Sequence, residues 1–425
     1  MASDKIKDFS RIAPDFESKI ENLYKDVPTE EAMARYAKVY ESHYAKYGRD
    51  DFSFFSSPGR IELCGNHTDH NHGKVLCAAI TVDTLACVTP NDNRTVTVNS
   101  FGYAPFTVSL NVLSAVESEK GTSLALVKGV LKYFADNGYN IGGFDMTATS
   151  SVFKGAGVSS SACFEVLIAQ ILNVYYNDSK IEPIRLAMAA QYAENVYFGK
   201  PCGLMDQSAI ALGGVSYIDF EDPTAPKVES VPWRLGNRTE IVLINCGGDH
   251  CNLTDEYAAI RTEMESIAGY FGKKTLREIT REQVMENVAA LYRAFGGRAV
   301  LRALHFFNEN ELVVRARDAV KNSDADAFLT EINATGDSSY KMLQNCYPKG
   351  DTLQPIPLAI AVARETRGLQ AIRVHGGGFA GTVLAFCHPD NCADFVAEMS
   401  DIFGKENVFP IGIRNSGAKL VFKAR

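Results

Sequence analysis

Apolar residues recur along this chain with two different periods, and the period changes often. Phe16, Ile20 and Leu23 fall on one face of a first helix, and Ala32, Tyr36, Val39 and Tyr40 on one face of a second, with Pro28 between them and Thr29 placed to cap the latter. Short apolar or alternating runs predict strands at 52–55, 61–64 and 75–88, with Ser57-Pro58-Gly59 as a breaker between the first two. Residues 95–99 and 106–110 read as paired strands around a turn, 124–136 as a helix, and 143–150 as a strand. A helix over 183–198 carries Pro near its start, and a strand over 214–220 follows. The stretch 221–236 is Pro-rich and reads as irregular. Beyond it a strand at 240–245 opens a region dominated by helices over 256–321, 325–343 and 354–367, and strands at 383–386 and 419–422 close the chain. Strand clusters interspersed with helices predict an α+β fold in both halves. At 425 residues the chain exceeds one compact core, so two domains are expected, 1–228 and 229–425.

Composition narrows the function classes. A net charge of −8 argues against nucleic acid or an anionic membrane as the main partner, so an anionic ligand would need local positive groups. No run of eighteen apolar residues predicts a membrane span, and the charged N-terminus lacks the apolar centre of a signal peptide. Ten cysteines lie scattered among apolar neighbours without a Cys-x-x-Cys pair, which fits buried thiols in a reducing cytoplasm.

The strand at 143–150 delivers the chain to Lys154-Gly155-Ala156-Gly157-Val158-Ser159-Ser160-Ser161-Ala162, and a mostly apolar helical run follows. Gly155 and Gly157 let backbone amides approach a ligand, and Ser159 to Ser161 are helix-start residues. A glycine turn feeding a helix N-terminus gathers free N–H groups and the positive end of the helix dipole, which makes a phosphate cradle. It is not a Walker A loop, because no Gly-Lys-Ser/Thr follows the glycines. By itself such a stretch is equally a plain helix cap. A second polar loop, 65–73, packs Asn66, His67, Asp69, His70, Asn71 and His72 together. Such side chains suit the donors and acceptors of a sugar, although His67, Asp69, His70 and His72 also read as metal ligands or as a solvated turn.

Three stretches together carry a resemblance. Pro58 to Gly73, with Gly59-Arg60-Ile61-Glu62-Leu63-Cys64-Gly65-Asn66-His67-Thr68-Asp69, resembles the galactokinase motif Gly-Arg-Val-Asn-Leu-Ile-Gly-Glu-His-Thr-Asp-Tyr-Asn-x-Gly. Gly155 to Ala162 is similar to the ATP-binding loop of the GHMP small-molecule kinases. Gly376-Gly377-Gly378-Phe379-Ala380-Gly381-Thr382 is similar to their C-terminal glycine motif. All three stand in family order, over nearly the whole chain.

The resemblance implies the two-domain GHMP kinase architecture with its active site between the domains, and a cytoplasmic sugar 1-kinase using ATP and Mg²⁺. It implies Asp206, in Cys202-Gly203-Leu204-Met205-Asp206-Gln207, as the base and Arg60 beside the phosphoryl path. It implies Asn66, His67, Asp69 and Tyr257 at the sugar, and Gly155, Ala156, Gly157, Ser159, Ser160 and Ser161 at ATP. Ser161 and Glu194 would hold the metal, and Gly376, Gly377 and Gly378 would wall the active site. The chemistry is coherent: a carboxylate takes the proton of the anomeric hydroxyl, Arg60 keeps that carboxylate ionised, and hard oxygens suit Mg²⁺. Outside the motif context each residue has a plainer reading, as a capping Asp, a surface ion pair or a solvated helix face.

Four positions depart from the family pattern. Glu62 stands for the usual Asn, Asn66 for the usual Glu, His70 for Tyr, and His375 for a Thr before the glycine run. In galactokinases that Glu contacts the C6 hydroxyl, so the sugar is the open point. D-galactose leads; galacturonate or another galactose-like sugar is the alternative. A non-catalytic sugar and ATP sensor is the alternative of another class, and the intact loop from Gly155 to Ala162 weighs against it.

Overall fold

A computed structural model describes residues 16–24, 27–152, 157–247, 253–379 and 381–424. Two mixed layers of sheet and helix carry the chain. The first sheet has eight strands: β1 (Ser53–Cys64), β2 (Lys74–Asn91), β3 (Thr95–Ser100), β4 (Phe106–Ser109), β5 (Gly143–Ser150), β6 (Val215–Asp219), β7 (Lys227–Val231) and β12 (Lys419–Lys423). Its main order is β12-β1-β2-β5-β3-β4, and β6 pairs with both β2 and β7. The second sheet has four strands in the order β11-β8-β10-β9, from β8 (Glu240–Asn245), β9 (Leu369–Val374), β10 (Thr382–Cys387) and β11 (Val408–Ile411).

The strand β1 organises the first sheet. All twelve of its residues are buried, as expected of a strand flanked on both edges and covered on both faces. The expected breaker at Ser57-Pro58-Gly59 does not end it. Pro58 pairs opposite Asp83, and the register to β2 shifts between Pro58 and Arg60. A bulge absorbs the missing Pro donor and re-aims Arg60. The stretch read as irregular after residue 220 contains β7, which forms a hairpin with β6. The expected boundary between residues 228 and 229 therefore falls inside a strand of the first sheet. The closing strand β12 also belongs to that sheet, antiparallel to β1.

Helices cover both sheets. Ser160–Tyr176 buries Val166, Leu167, Ile168, Ile171 and Leu172. Thr29–Tyr47 begins one residue after Pro28, with Pro28 rather than Thr29 at the cap. The helix read over 183–198 is α-helical over Pro183–Tyr192 and continues as a π-helical turn over Ala193–Phe198. A second π turn, Ser339–Leu343, follows the helix Ala325–Ser338. Val288–Lys321 is a long helix kinked at Gly296, whose φ of 82° no α-helix allows. The helix Cys392–Phe403, which the sequence reading lacked, packs Phe395 and Met399 under the second sheet. The described cysteines are all free thiols, and no helix among the described residues is long and apolar enough to cross a membrane.

Candidate active site

Arg60 leaves β1 at the bulge and reaches across to the helix Met205–Leu212. Its Nε donates to Asp206 Oδ1 at 2.7 Å and its Nη2 to Asp206 Oδ2 at 2.8 Å, while Nη1 donates to the Gly157 carbonyl. The Arg60 side chain is 6% exposed and that of Asp206 31%, so the pair presents its carboxylate outward. Ser159 was expected to cap the helix Ser160–Tyr176. It sits instead in the left-handed region (φ 59°), makes no capping bond, and donates its hydroxyl to Asp206 Oδ2. Burial pushes the Asp206 carboxyl up, but Arg60, Ser159 and Lys200 together outweigh it and hold the group below its ordinary value.

The phosphate loop abuts this pair. Arg60 N donates to Val158 O at 3.3 Å, and a side chain on Gly59 would press within 3.3 Å of the same carbonyl. Gly157 has φ 67°, where a glycine is favoured. Ser160 and Ser161 begin the helix, and Cys163 N donates to Ser159 O at 3.0 Å, so the amides of residues 160–162 precede the helical ladder. Gly155 and Ala156, also expected at ATP, lie outside the described residues, as do Lys154 and Ala380.

Of the two residues expected at a metal, Ser161 Oγ donates to Glu194 Oε1 at 3.1 Å, and Gln207 Nε2 donates to Glu194 Oε2 at 2.9 Å. Glu194 is 3% exposed and sits in the π turn Ala193–Phe198, an irregularity that recurs at functional sites. Lys200 Nζ stands 3.4 Å from its Oε1. Glu165, one helical turn after Ser161, is fully buried and neither of its carboxylate oxygens has a hydrogen-bond partner. Gln207, Lys200 and Glu165 were not singled out from sequence. Gln207 lay in the quoted motif next to Asp206, and Glu165 stands four residues after Ser161, a spacing that places both on one helix face.

Three residues expected at the sugar, Asn66, His67 and Tyr257, converge on the glycine turn between β9 and β10. Three successive carbonyls there each accept a bond: Gly376 O from Asn66 Nδ2 at 2.7 Å, Gly377 O from His67 Nε2 at 3.0 Å, and Gly378 O from the Tyr257 hydroxyl at 3.0 Å. A carbonyl can only accept, so His67 carries its proton on Nε2 and leaves Nδ1 as an acceptor. Burial holds the His67 imidazole below its ordinary pKa, in the neutral form. Asp69 accepts from His70 N at 2.9 Å and from Met205 N at 3.4 Å. Burial, with the Asp206 charge next, pushes its carboxyl up to about 6. Gly203 lies against it, since a Cβ there would land on the Asp69 carboxylate.

Asn66 does not stand where the sequence reading put it. It is fully buried, and its amide is occupied by Glu62, Gly376 and Asn345, so no polar atom is left for a ligand. His67, Asp69, His70 and His72 form no metal cluster; among the described residues no three His, Cys, Asp or Glu side chains are grouped to hold an ion.

The galactokinase galactose-binding signature matches residues 41–90, and the GHMP kinase N-terminal domain matches residues 125–214. The chain is 30% identical over 360 residues to the galactokinase of Clostridium tetani, covering 84% of this chain and 90% of that protein. The chain belongs to the galactokinase family. Its identity to the galactokinase of Lacticaseibacillus casei is 27% over 356 residues, covering 83% of this chain and 89% of that one. Among solved structures, the fold matches a Lactococcus lactis galactokinase complexed with galactose at a TM-score of 0.79 and 22% identity, over 90% of this chain and 99% of that one. It also matches a mevalonate kinase at 0.59 and 14% identity, over 85% and 99%. The two-sheet fold is thus that of the galactokinase structure.

Proposed function

We propose that this galactokinase-family enzyme transfers the γ-phosphoryl group of ATP to the anomeric C1 hydroxyl of D-galactose, giving galactose 1-phosphate. The observation that carries the assignment of roles is the Asp206 carboxylate, gripped by Arg60 and Ser159, open on one side, and beside Asp69. Asp206 accepts the proton of the C1 hydroxyl as that oxygen attacks phosphorus. Arg60 keeps Asp206 ionised beforehand and stabilises charge on the transferring group. His67 Nδ1 and the Asp69 carboxylate are acceptors, matched to the hydroxyl donors of a neutral sugar.

The phosphates lie at the amides of residues 157–162. The donor set suits Mg²⁺: the serine hydroxyl of Ser161 and the carboxylate of Glu194 are hard oxygens, and the Lys200 ammonium already places a positive charge beside that carboxylate. When bound, Mg²⁺ neutralises charge on the β- and γ-phosphate oxygens. Gln207 orients Glu194 through its amide. A division of the chain into two units near residues 228–229, as expected from the sequence, belongs to the same reading, with β7 and β12 counted in the first. A cytoplasmic setting supplies ATP and keeps the thiols reduced. A panel of sugars with MgATP, read as ADP release, tests the reading. Galactose is expected to give the highest kcat/KM, and turnover with galacturonate but not galactose would overturn it.

A further inference from the structure

Behind the sugar loop lies a polar unit that is almost wholly shut off from solvent. Glu62 and Asn66 stand four residues apart and are in contact: Asn66 Nδ2 donates to Glu62 Oε1 at 3.0 Å and Oε2 at 3.2 Å. Glu62 also pairs with Arg373 of β9, which is fully buried and donates through Nη1 to Leu63 O at 2.7 Å. Cys64, His305 and His375 also face this ion pair, and so does Glu309, whose Oε2 accepts from Gly65 N at 3.0 Å, Asn66 N at 3.2 Å and Thr335 Oγ1 at 2.6 Å. The unit thus holds one guanidinium, two carboxyls and one amide, at the seam between β1 and the β9–β10 turn. In the galactokinase motif the amide and the carboxylate stand in the opposite order; here the two have changed places, and the structure has them hydrogen-bonded to each other.

We propose that Glu62, Asn66 and Arg373 act as one positioning unit that fixes the sugar loop against the glycine turn, and that positions 62 and 66 are exchangeable as a pair but not singly. The unit reaches the site through two bonds. Asn66 holds the Gly376 carbonyl, and the next residue, His67, holds that of Gly377. A side chain on Gly376 would meet the Gly157 carbonyl at 3.5 Å and Arg60 Nη2 at 3.9 Å, so a displaced Gly376 disturbs the residue that holds Asp206. Changing only Asn66 to Glu puts a third carboxyl beside one guanidinium. Changing only Glu62 to Asn leaves Arg373 buried with only Glu309 to balance it. Breaking a buried pair from one side is far costlier than replacing it as a whole. The exchange keeps the count of charges and amides constant.

This rests on the sugar-kinase reading, and the test separates the two. Wild type, Glu62→Asn, Asn66→Glu and the double variant are compared for galactose KM, ATP KM, kcat and thermal midpoint. Each single change is expected to raise the galactose KM by at least about tenfold with ATP KM within about threefold, and the double to recover most of the loss, because residues in one buried network couple strongly. If a single variant does not fold, recovery of soluble, galactose-binding protein in the double is the supporting result. A double variant no better than its worse single, or singles with an unchanged galactose KM, overturns the proposal. Absence of galactose-dependent ADP release in the wild type overturns the kinase reading instead, and the coupling in thermal midpoint still decides the positioning unit.

Discussion

Arg60 and Asp206, 146 residues apart in sequence, meet side-on through two hydrogen bonds of 2.7 and 2.8 Å. This geometry fixes the plane of the carboxylate and keeps it charged. It also makes Asp206 a weak base in the ground state, because Arg60 and Ser159 lower its affinity for a proton below that of a free carboxyl. The anomeric hydroxyl becomes acidic only as its oxygen bonds to phosphorus. Proton transfer late along the reaction is the step that such a base can serve.

Asp206→Asn keeps the size and most contacts of the side chain but removes the proton acceptor. A loss of about 10²–10⁴ in kcat is expected, with galactose and ATP binding by calorimetry largely retained. A variant that keeps a large part of the wild-type kcat would assign the proton elsewhere.

Asp69 is expected to give the site a pH dependence. Its folded pKa of about 6 lies above the ordinary 3.8, so the native state holds that proton more tightly than the unfolded chain. Its contribution to stability is therefore greatest below the unfolded value and is lost as pH rises from 3.8 through about 6. Sugar binding runs the other way, since the ionised form is the better acceptor. The galactose KM is expected to rise as pH falls through about 6 and the inflection to vanish in Asp69→Asn. A KM flat across that range, or the same inflection in the variant, contradicts the role.

Glu194→Gln tests the metal side. The amide keeps the shape and still reaches Ser161, but it loses the charge that attracts a cation. The Mg²⁺ concentration for half-maximal rate is expected to rise by at least the ~10-fold typical of losing even an outer-shell partner. An unchanged Mg²⁺ titration would move the metal away from Glu194.

Gly203→Ala places a methyl group on the Asp69 carboxylate. Asp69 must turn away, so the galactose KM is expected to rise severalfold while ATP KM stays near wild type; kinetics with each substrate varied in turn measure both. Equal effects on the two constants would mean that the whole site, rather than its sugar side, has been displaced.

Short contiguous motifs named Arg60, Asp206, Ser161 and Glu194, and the fold brings them into contact in pairs. Cys202 to Gln207 pointed to Asp206 but left Gln207 and Gly203 without a role, and glycines before a helix drew attention to residues 155–161. What local pattern could not convey was direction. A loop as polar as 65–73 reads as facing a sugar, yet Asn66 is turned inward because Glu62, Asn345 and the Gly376 carbonyl satisfy it there. Ser159 reads as a cap, but Asp206, distant in sequence, recruits its hydroxyl. In the fold, Ser57-Pro58-Gly59 punctuates the sequence without ending β1, because the pairing with β2 continues through it by way of a bulge. The hairpin strand β7 was hidden by the flanking prolines and by its exposed face.

The pairing of β12 with β1 gives the enzyme an order of assembly on the ribosome. The strand that carries Arg60 is made early, and its outer edge stays open until Lys419–Lys423 emerges, nearly the whole chain later. Until then the nascent sheet offers an unpaired apolar edge to any neighbouring chain. Synthesis halted just before Lys419 therefore leaves Ser53 to Ser56 of β1 without their edge partner, although Arg60 and Asp206 have both been made.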